Sequence, residues 1–320
     1  MSANHIGRNL ILLAVVLAIA FVMQFVLPTY YVLTITRMMV LAVFAVGYNM
    51  LLGYVGLLSL GHAIFFAAGL YFAGLATYHL GISVPVAFLI GIAAAFLLAL
   101  AIGVVALPTM RVSFMIVTLM FAQVGFLTTL YFAEYTGGQD GLSLPHAARQ
   151  FDFFGTTFSL ANEQVRFNLA FGLLAIALGV SFLVLTSRRG RIFAAIRENE
   201  GRTEMLGFNV FASKLEAFLY SGTIAGAAGA AYGLLFGYVG STFASIQYSI
   251  EVLLFTLLGG AGTLLGPLLG VLLMTTLIDR LSELTTAYLL VIGVVLIVLV
   301  LWFPKGILGT IRERWLPWLM

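Results

Sequence analysis

An all-α bundle that crosses a membrane many times is the fold class this sequence predicts, and three observations predict it. Of the 320 residues, 62% are hydrophobic and only 8% are charged, against about 25% charged in ordinary soluble domains. Apolar runs long enough to cross about 30 Å of hydrocarbon recur from end to end. The few charged residues are gathered into short stretches between those runs. So little charge cannot clothe a water-facing surface. Residues 1–320 therefore read as one membrane domain, with no room for a soluble catalytic domain.

Ten apolar segments follow one another, at roughly 9–27, 31–52, 62–79, 83–106, 112–133, 166–187, 215–238, 246–259, 263–279 and 284–303. Helix is the expected state of each, because a lone strand would leave backbone groups unpaired in lipid. The alternating pattern of an outer-membrane barrel is absent. The first segment follows Arg8 like a signal sequence, but it is long and ends at Pro28 without a small-residue cleavage site. It is expected to stay as the first span. Segments eight and nine are short for full spans.

Two polar stretches interrupt the series. Residues 134–165 hold Gly137, Gly138, Gln139, Asp140, Gly141, Pro145 and His146. Residues 188–214 hold Arg188, Arg189, Arg191, Arg197, Arg202 and Lys214, six of the fifteen basic residues. Basic loops stay in the cytoplasm, so 188–214 is expected inside. Lys305, Arg312 and Arg314 put the C-terminus on the same side, and Arg8 does so for the N-terminus. Parity agrees: six segments reach Arg188 and four more reach Lys305. The 134–165 loop then lies outside, as a periplasmic loop. Reading 246–279 as one span would throw the C-terminus outside, so a hairpin is expected there.

Two apolar segments are broken by glycine at corresponding places. One runs Leu51-Leu52-Gly53-Tyr54-Val55-Gly56-Leu57-Leu58-Ser59-Leu60-Gly61-His62, the other Leu257-Leu258-Gly259-Gly260-Ala261-Gly262-Thr263-Leu264-Leu265-Gly266-Pro267. Each glycine weakens a helix by about 1 kcal/mol. Broken helices in two halves of a membrane protein point to a translocation path, which would include Gly53, Gly56, Ser59, Gly61, His62, Gly259, Gly262 and Gly266. The alternative is a tight packing turn that touches no ligand. Gly222, Gly226, Gly229, Gly233 and Gly237 mostly recur every four residues, as do Gly262, Gly266 and Gly270. That spacing suits close helix contact.

The stretch Ile196 to Val210 carries mixed charge: Arg197, Glu198, Asn199, Glu200, Arg202 and Glu204, then Gly207 as a helix stop. Ile192, Phe193, Ile196 and Leu206 would supply an apolar face. A lipid-binding segment would be basic, so the acids favour docking on a protein partner over a loop held by headgroups. Asn49, Gln123, Gln247 and Glu251 sit inside segments and should face the bundle interior. Glu251 is placed on the path. Arg37 and Glu134 lie near segment ends and can snorkel. His62 is an interior histidine or a ligand contact.

Several chemistries are discounted. The glycine run 259–262 lacks the lysine ending of a phosphate-binding loop, so ATP hydrolysis is not expected of this chain. Gly56 to Gly61 comes near a serine-nucleophile turn without matching it. His5, His62, His79 and His146 have no metal-ligand spacing, and the chain has no cysteine, so neither a metal site nor a thiolate is expected. The net charge of +3 reflects basic residues at membrane edges and gives no sign of nucleic-acid binding.

These residues resemble one family. The run LLGYVGLLSLGHAIFFAAGLY from Leu51 to Tyr71 is similar to the glycine motif of the branched-chain amino acid type of ABC importer permease. RGRIFAAIRENEGRTEMLGFNVFASK, Arg189 to Lys214, resembles that family's cytoplasmic loop, and EVLLFTLLGGAGTLLGPLLG and WFPKGILG also look like it, specifically its LivM-type subunit. The likeness covers nearly the whole chain in order. It implies a bundle like the vitamin-B12 importer's, in a bacterial inner membrane. It also implies a homologous second permease, two cytoplasmic ATP-binding subunits and a periplasmic solute-binding protein as partners. No cofactor is implied. Asn199 to Gly207 would be the coupling helix. Arg202 and Thr203 stand where relatives carry small residues, which departs from the pattern. Two rival classes remain: a secondary transporter driven by an ion gradient, which the scarcity of membrane-depth acids disfavours, and an intramembrane hydrolase using Ser59 and His62, which lacks a motif. The resemblance leaves the solute open among branched-chain and other amino acids, urea, amides and aromatic acids.

Overall fold

The computed structural model describes the chain apart from residues 1–2, 110, 154–155, 286, 304, 317 and 319–320. Residues 154–155 of the expected outer loop, 286 of the last segment and Pro304 of the C-terminal motif thus lie outside the described residues. The apolar segments are helices, since only helix satisfies each segment's own backbone in lipid. In chain order the helices are α1 (Ala3–Val26), α2 (Thr29–Asn49), α3 (Ala63–Leu80), α4 (Val84–Ala106), α5 (Arg111–Tyr131), the short α6 (Ala133–Thr136), α7 (Glu163–Thr186), α8 (Arg188–Glu198), α9 (Glu200–Met205), α10 (Val210–Phe236), α11 (Ile246–Gly259), α12 (Gly266–Leu284), α13 (Tyr288–Trp302) and α14 (Ile307–Arg314). The protein is an all-α polytopic membrane bundle. Among the described residues, seven helices, α1 to α5 with α7 and α10, are long and apolar enough to cross by themselves.

Each of the ten apolar segments corresponds to one helix, with shifted ends. The seventh begins earlier than expected, at Val210, because the Asn209 side chain caps it by accepting from Ala212 N at 2.9 Å. Lys214 therefore belongs to a helix and not to the loop. Residues 246–279 resolve into two helices, as the hairpin reading requires. Gly259 lies against Gly266 and Gly270 against Phe255, so α11 and α12 cross with their backbones in contact.

The central helix is α2: 83% of its most apolar stretch is buried, against 11% for α1. Helices α7, α10, α11 and α12 pack on it, and α10 in turn packs with α3 and α4 through small residues. Gly226 abuts Ala95 of α4, and Gly69 of α3 abuts the Gly226 carbonyl. A side chain at either glycine would force the helices apart, so packing does explain the four-residue spacing in α10. Gly237 departs from that expectation. It ends α10 with a left-handed φ of 69° and is a cap, not a packing residue.

The expected outer loop is not plain coil. Strand β1 (Leu142–Ser143) pairs antiparallel with β4 (Tyr238–Val239), and β2 (Gln150–Phe153) with β3 (Thr156–Ser159). Arg149 binds this loop to the end of α10. Its Nε donates to Leu234 O at 3.0 Å, and Nη2 donates to Leu235 O and to Leu160 O. The last carbonyls of a helix have no partner within it, and a cation there also suits the helix dipole.

The opposite end of the bundle gathers the basic loop and both chain termini. Asn9 donates to Trp318 O at 2.8 Å, and the Arg8 guanidinium lies 5.0 Å from the Trp318 ring centre. Helix α14, from the C-terminal segment, reaches the α11–α12 turn, and α8 reaches the end of α2.

Candidate functional site

At that end the two glycine breaks meet. Beyond Asn49 the backbone of α2 widens into one π-helical turn, Met50–Val55, which closes on Gly56 at φ 81°. Only glycine adopts that left-handed conformation readily. Single π-helical turns inside a helix are rare and are found frequently at functional sites. Here the turn between α11 and α12 packs against it. The Asn49 amide nitrogen donates to Thr263 O at 2.9 Å, and Asn49 Oδ1 accepts from Gly262 N at 2.9 Å. A Cβ on Gly53 would collide with both Asn49 Oδ1 and the Gly262 amide. Gly262 takes φ 82° to bring its amide there.

Two arginines hold the junction from outside. Arg197 of α8 donates through Nη1 to Gly53 O, and its stem lies on Gly56. Arg312 of α14 donates through Nη1 to Gly262 O at 2.9 Å. Charge-assisted bonds of this kind are among the stronger ones. Beside the junction is a cavity of about 650 Å³ lined by Arg197, Lys305, Arg312, Glu313 and Thr263. Lys305 donates to Glu313 at 2.7 Å. That bond, with the charges of Lys305 and Arg314, holds the Glu313 carboxyl below the usual carboxylate range. Three cations against one carboxylate make the cavity electropositive.

The stretch after Gly56 is buried inside protein. Tyr48 donates to Ser59 O at 2.9 Å, Leu60 N donates to Thr118 Oγ1 at 3.3 Å and Ala63 N donates to Ser249 Oγ at 2.9 Å. Gly61 packs on the Thr118 carbonyl of α5. His62 is fully buried and its Nε2 lies 3.0 Å from Ser221 Oγ. Ser221 gives its one hydroxyl proton to Gly47 O at 2.6 Å, so Nε2 carries the hydrogen of the His62–Ser221 bond. The partner of His62 is thus Ser221 and not Ser59. Among the described residues no group of three metal-ligating side chains occurs.

The basic loop forms two short helices that meet at Asn199. Its Oδ1 accepts from Arg202 N at 2.9 Å and starts α9. Glu200 turns inward to Lys214. Thr203 is buried and donates to Asn199 O at 2.9 Å. Gly207 follows α9 at φ 85°, the expected stop. Of the apolar anchors named for docking, Phe193 and Ile196 are instead buried against the bundle, whereas Leu206 is 69% exposed, as is Met205 at 90%. Leu206 therefore belongs to the outward face. Glu198, Asn199, Arg202 and Glu204, close by in the chain, are exposed too.

Glu251 stands apart from the junction, near the other end of α11. Arg37 is paired: its Nη2 donates to both oxygens of Asp279, at 2.9 and 3.0 Å. Asp279 closes the ninth apolar segment, where nothing in the sequence marks it as a partner, but α12 continues to Leu284. The contacts of Arg312 and Arg149 are equally unmarked. A basic residue near a segment end carries no mark of which carbonyl it will reach.

A lipid-embedded helix bundle, its two broken helices clasped together beneath a cationic surface loop, defines a polytopic membrane permease. The family described as branched-chain amino acid transport system / permease component matches residues 30–301, and the chain belongs to that family. It is similar to the high-affinity branched-chain amino acid transport system permease protein LivM of Escherichia coli, 28% identical over 97% of this chain and 77% of the relative. It is also similar to the LivM protein of Salmonella typhimurium, 27% identical over 87% of this chain and 70% of the relative. No solved structure matches the chain.

Proposed function

We propose that this chain is the transmembrane permease subunit of an ATP-driven importer. Its cargo is a branched-chain amino acid or a related small polar solute, as the names of its relatives suggest. It pairs with a homologous second permease, two ATP-binding subunits and a periplasmic solute-binding protein in a bacterial inner membrane. The end holding 188–214 and both termini faces the cytoplasm, in keeping with the positive-inside rule.

The observation that carries this reading is the bond from Arg197 to the Gly53 carbonyl. It joins a surface helix pair directly to the junction of the two broken helices. A partner that presses on α8 and α9 thereby moves the end of α2 against the α11–α12 turn. Met205 and Leu206, exposed and close in the chain to mixed charge, suit docking in a groove of an ATP-binding subunit. Each ligand shifts such an equilibrium only by its differential affinity for the two states. The external receptor and internal ATP would supply those differences.

Two variants separate docking from transmission. In proteoliposomes holding the full set of subunits, Leu206→Glu should lose co-purification of the ATP-binding subunits. Arg197→Ala should keep them, and keep ATP hydrolysis, while uptake falls. Unchanged uptake in Arg197→Ala would defeat the transmission role. Gradient-driven uptake by the chain alone, without ATP, would replace the importer reading with that of a secondary transporter.

A further inference from the structure

Ionisable groups within a membrane bundle are a functional site by default, and the junction described above does not account for one such set. Arg37 lies eight residues into α2, about 12 Å along the helix from Thr29. It meets Asp279 of α12 at 2.9 Å, and the two side chains keep 37% and 33% of their surface open. An Arg or Asp facing lipid there would cost about 2.5–3.5 kcal/mol apiece. Their open side therefore faces water or protein. Helices α2, α11 and α12 pack on one another, and Tyr248 of α11, three residues before Glu251, stacks on Phe44 of α2 with ring centres 5.7 Å apart.

The set also holds unused hydrogen-bonding capacity. Among the described residues, Arg37 Nε and Tyr248 Oη are buried with no hydrogen-bond partner. Groups left so are rare, because each carries a desolvation penalty of about 1–3 kcal/mol. Here one guanidinium N–H, one phenol and a second carboxylate lie on helices that pack together, towards the end of the bundle opposite the basic loop.

We propose that Arg37, Asp279, Glu251 and Tyr248 form a polar station at which a zwitterionic solute is held on its way through the permease. The solute's carboxylate takes the free N–H of Arg37 and the Tyr248 hydroxyl. Its ammonium group takes the Glu251 carboxylate. Asp279 positions the guanidinium. This rests on the importer reading and names the chemistry of its entry half. A neutral apolar solute would leave these charges unanswered. An α-amino acid answers both signs at once.

The test uses the complete importer in proteoliposomes and exploits the absence of native cysteine in this chain. Asp279→Cys and Glu251→Cys should react with a charged methanethiosulfonate at least about tenfold faster than Leu97→Cys on α4, because only a hydrated thiol forms the reactive thiolate. Leucine with its receptor should slow that labelling. Arg37→Gln should reduce leucine uptake by roughly tenfold or more, the scale of one hydrogen bond to a charged group. The exchange Arg37→Asp with Asp279→Arg tests a purely structural pair. The proposal expects it to restore yield and thermal stability but not uptake. Recovery of full uptake in the exchanged protein, or labelling no faster than at Leu97→Cys, overturns the station. ATP-independent uptake would overturn the importer reading instead and leave the labelling contrast standing.

Discussion

Replacing Asn49 with alanine tests the junction most directly. The side chain makes two bonds of 2.9 Å, donating to Thr263 O and accepting from Gly262 N. It is buried, as is Thr263. Alanine removes both partners at once and leaves a carbonyl and an amide unpaired. Each stranded group costs about 1–3 kcal/mol, so the sum is roughly 2–6 kcal/mol of stability. That is a large share of the 5–15 kcal/mol that holds an ordinary domain together. Asn49→Asp divides the effect. Its carboxylate still accepts from Gly262 N but has no N–H for Thr263 O. Equilibrium unfolding in mixed detergent micelles should rank wild type above Asn49→Asp, and Asn49→Asp above Asn49→Ala. Uptake should fall in the same order, because the break in α2 is no longer tied to the α11–α12 turn. An alanine protein that unfolds with the wild-type midpoint would refute the claim that these bonds join the two breaks.

Gly53→Ala should cost about 1–3 kcal/mol or more, since its methyl would meet Asn49 and the Gly262 amide; the yield of folded protein in detergent checks this. Arg149→Ala should cost about 1.5–3 kcal/mol and expose the 134–165 loop, which limited proteolysis from the outer face would read. Arg149→Lys should recover only part, because one ammonium cannot reproduce the fork that spans Leu234, Leu235 and Leu160. For sidedness, Met205→Cys should react with an impermeant maleimide only from the cytoplasmic face and Asp140→Cys only from the outside. The reverse pattern would invert the assigned orientation.

Much of the fold was legible because lipid imposes one rule: a long apolar segment must be helical and must satisfy its own backbone. The ten segments, the hairpin at 246–279 and the packing role of Gly226 follow from that rule and from small-residue spacing. The glycine breaks were legible as breaks, because Gly53, Gly56 and Gly262 stand where apolar helix should continue. Their mutual contact was not. It depends on Asn49 and on two arginines 144 and 50 residues away from their carbonyl partners, and no local pattern encodes a bond of that range. How the apolar anchors divide was not legible either. Phe193 and Ile196 of α8 turn inward, but α9 restarts at the Asn199 cap and leaves Leu206 outward.

The residues alone determined the environment and the class: so little charge and so much unbroken apolar sequence can be stable only as helices in hydrocarbon. Only the tertiary structure decided which polar groups answer one another. Asn49 bridges two distant turns, Arg197 reaches a glycine carbonyl and Arg37 finds Asp279. The physical reason is directionality. Hydrophobic burial scales with area and can be summed along a chain. A hydrogen bond needs its two atoms within about 3 Å and in line, and only the packed bundle sets that geometry.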